Sequence, residues 1–294
     1  MTATERQDSL KAMTWRRFRR HRPALSGLAA LSLIVIASFA VPVIVGTDPY
    51  ATHPEIRRQA PSLAHLFGTD ELGRDLLIRI LVGGQVSLLV GVAAMVVSIT
   101  IGTVTGAISG FYGGWIGGLL MRFADLLLSI PQLLILLVLA QVLRSSPVPE
   151  LSGGALPIVL IVGALSWMGA ARLVRGEFLS LRAREFVEAA RVAGGTNGRL
   201  MWRHILPNAA SPIIVAASLR VGNAILAEST LSYLGFGIQP PMPSWGNLLR
   251  NAQSQLTIAP WVAVFPGLAI VITVLAINYV GDGLRDALDP RKTF

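Results

Sequence analysis

Apolar stretches long enough to cross a membrane alternate along this chain with short polar segments. A helix needs roughly 20 apolar residues to cross a hydrocarbon core. Six runs of about this length are present, at 24–45, 84–109, 119–143, 155–170, 208–227 and 260–281. The pattern therefore predicts six membrane-spanning helices, of which the fourth is the shortest. We interpret the first as a retained helix and not as a removed signal peptide, because it is long and lacks a nearby small-residue cleavage site.

Composition also indicates a membrane protein. Hydrophobic residues make up 53% of its 294 residues, charged residues only 14%, and its mean hydropathy is +0.61. Such values are typical of membrane proteins and not of soluble domains of this length. The absence of cysteine excludes disulfides and thiolate metal sites, and the four histidines are too scattered for a ligand cluster. We therefore expect neither catalytic nor metal-binding residues.

The arginines and lysines are distributed unevenly between the two sides of the predicted spans. Seventeen lie in the N-terminal tail to residue 23, the segment 171–206 and the C-terminal tail, against six on the opposite side. Because positive charge favours the cytoplasmic side, both termini and the segment 171–206 are predicted to be cytoplasmic. The net charge of +9 then indicates contact with anionic lipid headgroups and not with nucleic acid. Trp15 and Phe18, with their arginine neighbours, predict a short interfacial helix.

A polar segment between the fourth and fifth spans, residues 183–207, has the pattern of two short helices joined by a turn. One small or apolar stripe recurs at helical spacing: Phe186, Ala189, Ala190 and Ala193. Charged residues take the other side: Arg184, Glu185, Glu188 and Arg191. Gly194 permits a tight reversal, and Thr196 or Asn197 is placed to cap the helix that follows. Pro207 interrupts that helix before the next span.

The spacing of Glu188-Ala189-Ala190, Gly194 and Leu206-Pro207 resembles the cytoplasmic coupling loop of the inner-membrane permeases of binding-protein-dependent ABC importers. Where that family usually has isoleucine two residues before Leu-Pro, this chain has His204. The resemblance implies that residues 183–207, called the coupling segment below, bind in a groove of a separate ATPase and carry its closing motion into the membrane. The implied contact residues are Glu188, Ala189, Ala190, Gly194, His204, Leu206 and Pro207. Glu188 has an alternative role as an ordinary surface partner of Arg184 or Arg191 within helical reach.

Three further motifs resemble the dipeptide, oligopeptide and nickel permeases, and specifically the second, C-type member of the permease pair. They are FGTDELGRD at 67–75, LSYLGFG at 231–237 with SWG at 244–246, and GDGLRDALDP at 281–290. Two interpretations of the first motif stay open. Asp70 with Arg74 and Asp75 with Arg79 are i to i+4 pairs, which predict a short helix with local ion pairs. Alternatively, this stretch contacts the delivery protein.

Three residues within the spans are candidates for the translocation pathway: Asp125, Pro131 and Arg220. An ionised side chain facing lipid costs at least about 2.5 kcal/mol, so the two charged residues should face protein or water. Arg122 is placed to pair with Asp125. Arg220 has no acid in its own span and therefore meets either a substrate carboxylate or an acid of a partner subunit. Pro131 removes a backbone donor and should bend the third span, as a hinge or as a static kink.

The chain carries no phosphate-binding loop of its own. Such a loop needs Gly-Lys-Ser/Thr, and the only two lysines, Lys11 and Lys292, follow Leu10 and Arg291. If the chain belongs to an ATP-driven machine, ATP and Mg²⁺ must therefore bind to other subunits.

Together these features predict an all-α membrane protein with six transmembrane helices and a cytoplasmic helix-turn-helix coupling segment, and the resemblance implies the type I ABC importer permease fold. The expected divisions are a basic tail with an interfacial helix (1–23), the first helix and outer loop (24–83), the permease core (84–281) and a cytoplasmic tail (282–294). The resemblance implies a non-catalytic, cofactor-free subunit of the bacterial inner membrane that imports short peptides. Its implied partners are a second permease, two ATPase subunits or domains and an extracytoplasmic substrate-binding protein.

Three alternatives differ in substrate or in class. Nickel complexes, glutathione and other small solutes use similar permeases. An ion-driven secondary transporter is disfavoured because no paired, interrupted spans recur in two halves of the sequence. A membrane anchor without transport activity is disfavoured by the spacing within the coupling segment.

Overall fold

The computed structural model describes residues 10–148 and 154–288, and these residues form helices and connecting turns. The α-helices are α1 Leu10–Arg20, α2 Arg22–Val45, α3 Leu76–Tyr112, α4 Gly114–Ser129, α5 Gln132–Arg144, α6 Leu156–Leu165, α7 Trp167–Leu181, α8 Glu185–Val192, α9 Asn197–Arg199, α10 Leu206–Asn208, α11 Ala210–Tyr233, α12 Trp245–Ala252 and α13 Trp261–Leu288. A π-helical turn, Leu200–Ile205, joins α9 to α10, and single 3-10 turns occupy Pro54–Ile56 and Gln253–Gln255. The predicted basic tail lies partly outside the described residues, as do Arg291 and Lys292.

The helices confirm the all-α, multi-span prediction. In the described part of the chain, α2, α3, α11 and α13 are each long and apolar enough to cross a membrane alone. The third and fourth spans are bent helix pairs, α4 with α5 at 88° and α6 with α7 at 43°. The fourth span continues to Leu181, well past the end of its apolar run at residue 170, because α7 is amphipathic and buries Val174 and Phe178.

The spans run between two ends, which we call outer and inner. Helices α3 and α13 start at the same end, because the amide of Leu76 donates to the carbonyl of Gly68, and Trp261 Nε1 donates to the carbonyl of the adjacent Thr69. This outer end carries the segment 46–75 and α12. The inner end carries α1, whose Phe18 packs on α13, and the coupling segment. The predicted basic segments, as far as they are described, thus lie at one end.

A row of glycines on α3 brings it into close contact with α7. An added Cβ at Gly102 would lie 2.6 Å from the Cβ of Ala170, at Gly106 2.5 Å from the carbonyl oxygen of Ala171, and at Gly110 2.7 Å from the Cβ of Phe178. Small residues spaced by four let two membrane helices approach closely. We call Gly102, Gly106 and Gly110 the glycine face.

Buried charges organise the outer segment, residues 46–75, and the predicted short helix there is wrong. Its last residues form turns ahead of α3. The Asp70 carboxylate lies 2.6 Å from Nε of Arg74 and 3.4 Å from Nε of Arg79, and both Asp70 and Arg79 are 2% exposed. The Asp70 carboxylate also accepts backbone amides from residues 72 and 74, which a helix would use in its own ladder.

The predicted pair between Asp75 and Arg79 is also wrong. Asp75 caps α3, and its carboxylate accepts the amide of Ile78 at 3.0 Å. Its second oxygen lies 2.9 Å from Nδ1 of His65. An N-cap carboxylate turns back onto the unpaired amides of the first helical turn, so it faces away from the next turn of the helix.

Candidate functional site

The coupling segment forms the predicted pair of short helices joined by a turn at glycine. Helix α8 ends with the amide of Gly195 donating to the carbonyl of Ala190 and the amide of Gly194 donating to the carbonyl of Arg191, each at 3.0 Å. This is the Schellman arrangement, and Gly194 adopts the left-handed φ of +84° that it requires. Thr196, one of the two predicted caps, accepts the amide of Arg199 and starts the second helix.

The second half of the segment is not a plain α-helix. Residues Leu200–Ile205 wind as a π-helical turn, which ends two positions before Pro207. Proline has no N–H to donate to a carbonyl one turn earlier, so the pattern of helical backbone hydrogen bonds must change near it. The Asn208 side chain donates to the carbonyl of His204 at 2.7 Å and so supplies a local donor. Pro207 thus leads the chain into α11, which begins at Ala210.

The buried face of α8 differs from the predicted stripe. Val187 is fully buried and Ala190 is partly buried, whereas Phe186, Ala189 and Ala193 are exposed. Val187 and Ala190 are three residues apart, so they share the face that packs on the core. Of the predicted stripe only Ala190 lies on the buried face, and Val187, the fully buried residue, was not part of the prediction.

The outward surface of the coupling segment combines apolar and charged groups. Phe186 is 40% exposed, Trp202 44% and Val192 83%. Glu188 is exposed, with its carboxylate 3.4 Å from the guanidinium of Arg191, as the i to i+3 interpretation predicted. Exposed apolar residues rimmed by charges are typical of a protein–protein contact.

The coupling segment is fixed to the inner ends of α3 and α7. Leu200 and Ile205 are fully buried and pack with Val174 and Phe178 of α7. Arg182, just before the segment, donates to the carbonyls of residues 110 and 111 at 3.2 and 2.9 Å. These carbonyls belong to the last turn of α3, where no backbone amide of the same helix is left to donate to them. The segment is therefore packed directly on two spans.

The bend predicted at Pro131 is present, and a second helix break, in the fourth span, lies next to it. Ile130, before the proline, is extended (φ −94°, ψ 133°), as the proline ring demands of its predecessor. Ser166 interrupts the neighbouring span between α6 and α7. The Gln132 side chain bridges the two breaks, donating to the carbonyl of Leu165 at 3.2 Å and lying 3.3 Å from the hydroxyl of Ser166. Sequence analysis missed Gln132, although a polar residue directly after Pro131 was visible.

Arg220 lies next to the broken fourth span. Its guanidinium lies beside Gly169, three residues after Ser166, where an added Cβ would overlap Nη2. Across the described ranges, no carboxylate lies within 4.0 Å of Arg220. Irregular backbone at membrane depth is tolerated where it is buried in protein or lines a water-filled cavity. Gln132 thus joins the two breaks, and Arg220 lies close to the second of them, at Gly169.

Asp125 has a different partner from the predicted one. Its carboxylate pairs with Arg172 of α7, not with Arg122 of its own helix. Both side chains are about half exposed and line an open cleft of about 390 Å³ with Met121, Arg175, Gly176 and Leu179. The pair joins α4 to α7, and the sequence did not reveal it because the two residues are 47 positions apart.

Comparison with known families matches two parts of the chain. Residues 102–294 match the family described as "Binding-protein-dependent transport system inner membrane component". Residues 9–61 match the family described as "N-terminal TM domain of oligopeptide transport permease C".

Individual relatives align over nearly the whole chain. The glutathione transport system permease protein GsiD of Shigella flexneri serotype 5b (strain 8401) is 45% identical over 279 residues, covering 94% of this chain and 89% of that protein. GsiD of Escherichia coli O157:H7 is 43% identical over the same coverage. A protein of Brucella suis biovar 1 (strain 1330), named as a peptide permease, is 43% identical over 277 residues, again 94% and 89% of the two chains.

Proposed function

We propose a transport function for this chain, which belongs to the binding-protein-dependent transport system inner membrane components and, within them, to the C-type permeases. In this proposal it forms half of the translocation pathway of an ATP-driven importer of short peptides. The observation that carries the proposal is the coupling segment, which presents exposed Phe186, Val192 and Trp202 outward while its other face packs on two spans. A chain that only anchored an assembly would not need such a connection. Family membership places the protein in the inner membrane as a multi-pass component.

The substrate class rests on the relatives. GsiD is named for glutathione transport and the Brucella protein for peptides, and glutathione is itself a tripeptide. Short peptides are therefore the substrate class that the names share. We keep glutathione as the nearest alternative within that class, and nickel or another small solute as a more distant one.

The remaining subunits of the importer are also part of the proposal. The chain lacks the Gly-Lys-Ser/Thr of a phosphate-binding loop, so ATP and Mg²⁺ would bind two partner ATPase subunits or domains. A second permease would complete the pathway, and an extracytoplasmic binding protein would deliver the peptide. In this arrangement the chain is non-catalytic and binds no cofactor. Residues 84–281 would form the permease core, between the N-terminal part and the cytoplasmic tail.

The geometry suggests how ATPase closure would reach the pathway. A push on the outward surface of α8 would move the inner ends of α3 and α7 together, because Arg182 and the buried core below the segment join them. The breaks at Pro131 and Ser166 would let the third and fourth spans bend without breaking further backbone hydrogen bonds. Arg220 would then present its charge to the pathway or to the partner permease.

The coupling role is tested at α8 and its turn. Ala190→Trp would overfill the segment's own core, so Ala189→Trp, which adds bulk to the exposed face, is the cleaner probe. Gly194→Val should strain the left-handed turn, with Gly198→Val as a control because that glycine is helical and has open space around its Cβ. We expect Ala189→Trp and Gly194→Val to insert normally but to lose ATPase co-purification and ATP-dependent uptake in vesicles. Normal association and uptake in both would overturn the proposal.

The pathway role is tested at Arg220. Arg220→Gln and Arg220→Leu should reduce uptake or assembly with the partner permease, while Arg57→Gln, an exposed arginine of the outer segment, serves as control. Loss of uptake with intact assembly assigns Arg220 to the pathway, and loss of assembly assigns it to the subunit interface. Unchanged uptake and assembly in both variants would show that Arg220 has neither role.

A further inference from the structure

Glu228, near the outer end of α11, is the most completely buried acid in the described part of the chain. Its residue exposure is 0%. Hydroxyls surround the carboxylate: Ser232 donates at 2.6 Å, Ser87 of α3 at 3.0 Å and Ser229 at 3.3 Å. A fourth serine, Ser244, is the N-cap of α12 and lies beside this group. We call these four residues the serine cluster.

The serine cluster connects the carboxylate to backbone amides. The hydroxyl of Ser87 accepts the amide of Trp245 at 3.3 Å, and that of Ser244 accepts the amide of Asn247 at 3.3 Å. The hydroxyl of Ser232 accepts the amide of Ile238 at 3.0 Å. The hydroxyls of Ser87 and Ser232 thus each receive one hydrogen and give one to Glu228. Two of the three amides belong to the first turn of α12, whose positive dipole end faces the carboxylate.

An acceptor-only group fits this environment. A carboxylate offers about four acceptor positions, and three serine hydroxyls donate to it, those of Ser87, Ser229 and Ser232. No arginine, lysine or histidine among residues 10–148 and 154–288 lies within 4.0 Å of it, so the hydroxyls alone satisfy it. A glutamine amide would bring two hydrogens that compete with the serine hydrogens.

Close packing next to the cluster brings α12 against α3. A Cβ at Gly84 would lie 3.0 Å from the indole of Trp245, and a Cβ at Gly83 would lie 3.3 Å from Ser244. The Trp245 indole donates to the carbonyl of Ile80 at 2.9 Å. Helix α12 is therefore held tightly against α3, and Glu228 of α11 reaches α12 through the Ser87 hydroxyl, which accepts the amide of Trp245.

Helix α12 also connects to the outer segment. Gln255, directly after α12, donates to the Glu71 carboxylate at 2.8 Å and accepts from Nε of Arg58 at 3.2 Å. Helix α11, at its other end, begins immediately after the coupling segment. One span therefore runs from the coupling segment to the group that holds α12.

We propose that Glu228 is a positioning residue that holds α12 to the outer end of α11, so that α11, α12 and the outer segment attached to α12 move as one body. The serine cluster and its amides carry this contact. The positional claim is independent of the substrate, while its consequence for transport rests on the function proposed above.

Cysteine labelling tests the positional claim in the assembled complex. The chain has no cysteine, so Ala252→Cys, at a buried site in α12, provides a single reactive thiol in this subunit. A membrane-impermeant maleimide added from outside should label it slowly while α12 is held. Ala140→Cys, equally buried but in α5, reports general unfolding.

We expect Glu228→Gln and Glu228→Ala to raise labelling at position 252 by about tenfold or more, which corresponds to about 1.4 kcal/mol. Glu228→Asp, which keeps the carboxyl group, should restore part of the protection. Ser98→Ala, a buried α3 serine whose hydroxyl has no partner among the described residues, should leave labelling unchanged. If Glu228→Ala does not assemble, Ser87→Ala removes one link of the cluster and should raise labelling in the same direction.

Two results would overturn the inference: unchanged labelling at position 252 in Glu228→Gln and Ser87→Ala, or an equal rise at position 140, which would indicate general loss of structure. The transport consequence is measured separately, as ATP hydrolysed per peptide imported. That ratio should rise in Glu228→Gln while ATPase association persists. A failure of peptide import in the unmodified complex would count against the proposed function and leave the labelling result to decide the role of Glu228.

Discussion

Gly106→Ala should separate α3 from α7, the helix pair to which the coupling segment is attached. The new Cβ would lie 2.5 Å from the carbonyl oxygen of Ala171 and 2.8 Å from the Cβ of Val174. Non-bonded heavy atoms pack best at about 3.5–4.0 Å, so roughly 1 Å of separation is missing. The nearest atom is backbone within a helix, so a rotamer change cannot relieve the clash. Overpacking of this kind costs about 1–3 kcal/mol.

Thermal denaturation of the purified subunit or complex, followed by size-exclusion chromatography of heated samples, measures this cost. We expect the midpoint to fall by about 5 °C. Gly118→Ala is the matched control, because Gly118 is also helical but its Cβ would meet open space. A midpoint for Gly106→Ala equal to that of Gly118→Ala would refute the argument that the glycine face sets the distance between the two helices.

Three further predictions concern charges and backbone. Asp70→Asn leaves two buried arginines, Arg79 among them, without their shared acid, and should lower the free energy of unfolding by about 3–5 kcal/mol. This loss is measured as a lower melting midpoint, and a midpoint equal to that of the unmodified chain would contradict the buried pairing. Pro131→Ala restores a backbone donor and should straighten the 88° bend, measured as a longer distance between spin labels at the two ends of the third span; an unchanged distance would mean that packing sets the bend. Asp125→Asn should cost less than about 1 kcal/mol, because its pair with Arg172 is half exposed, and a larger loss of stability in the assembled complex would show that a partner covers the pair.

Local rules explain which parts of the structure were predictable. Pro131 bends its span because the missing N–H and the ring act on neighbouring residues. Gly194 takes a left-handed φ because its place after a short helix requires it. Glu188 meets Arg191 because three residues separate them on one helix face. Each effect depends on a few adjacent positions, which a single sequence contains.

The contacts that sequence analysis missed join residues far apart in the chain. Asp125 meets Arg172 across two helices, and its spacing to Arg122 suggested a closer partner that it does not use. Glu228 lies one residue beyond the predicted end of the fifth span, and its serine partner on α3 is 141 positions away. The i to i+4 spacing gave the right partner for Asp70, which pairs with Arg74, but failed for Asp75, whose carboxylate instead caps the first turn of α3.

The unequal burial of α2 and α3 makes them respond differently to bilayer thickness. Helix α3 has 37 residues and α2 has 24, which corresponds to about 55 and 36 Å against a hydrocarbon core of about 30 Å. Protein buries 44% of the apolar window of α3 but only 6% of that of α2. The part of α3 that exceeds the hydrocarbon thickness packs on α7 and the coupling segment. Lipid therefore contacts little of it. A thinner membrane should therefore change the tilt of α2 through hydrophobic mismatch and leave the α3–α7 core unchanged.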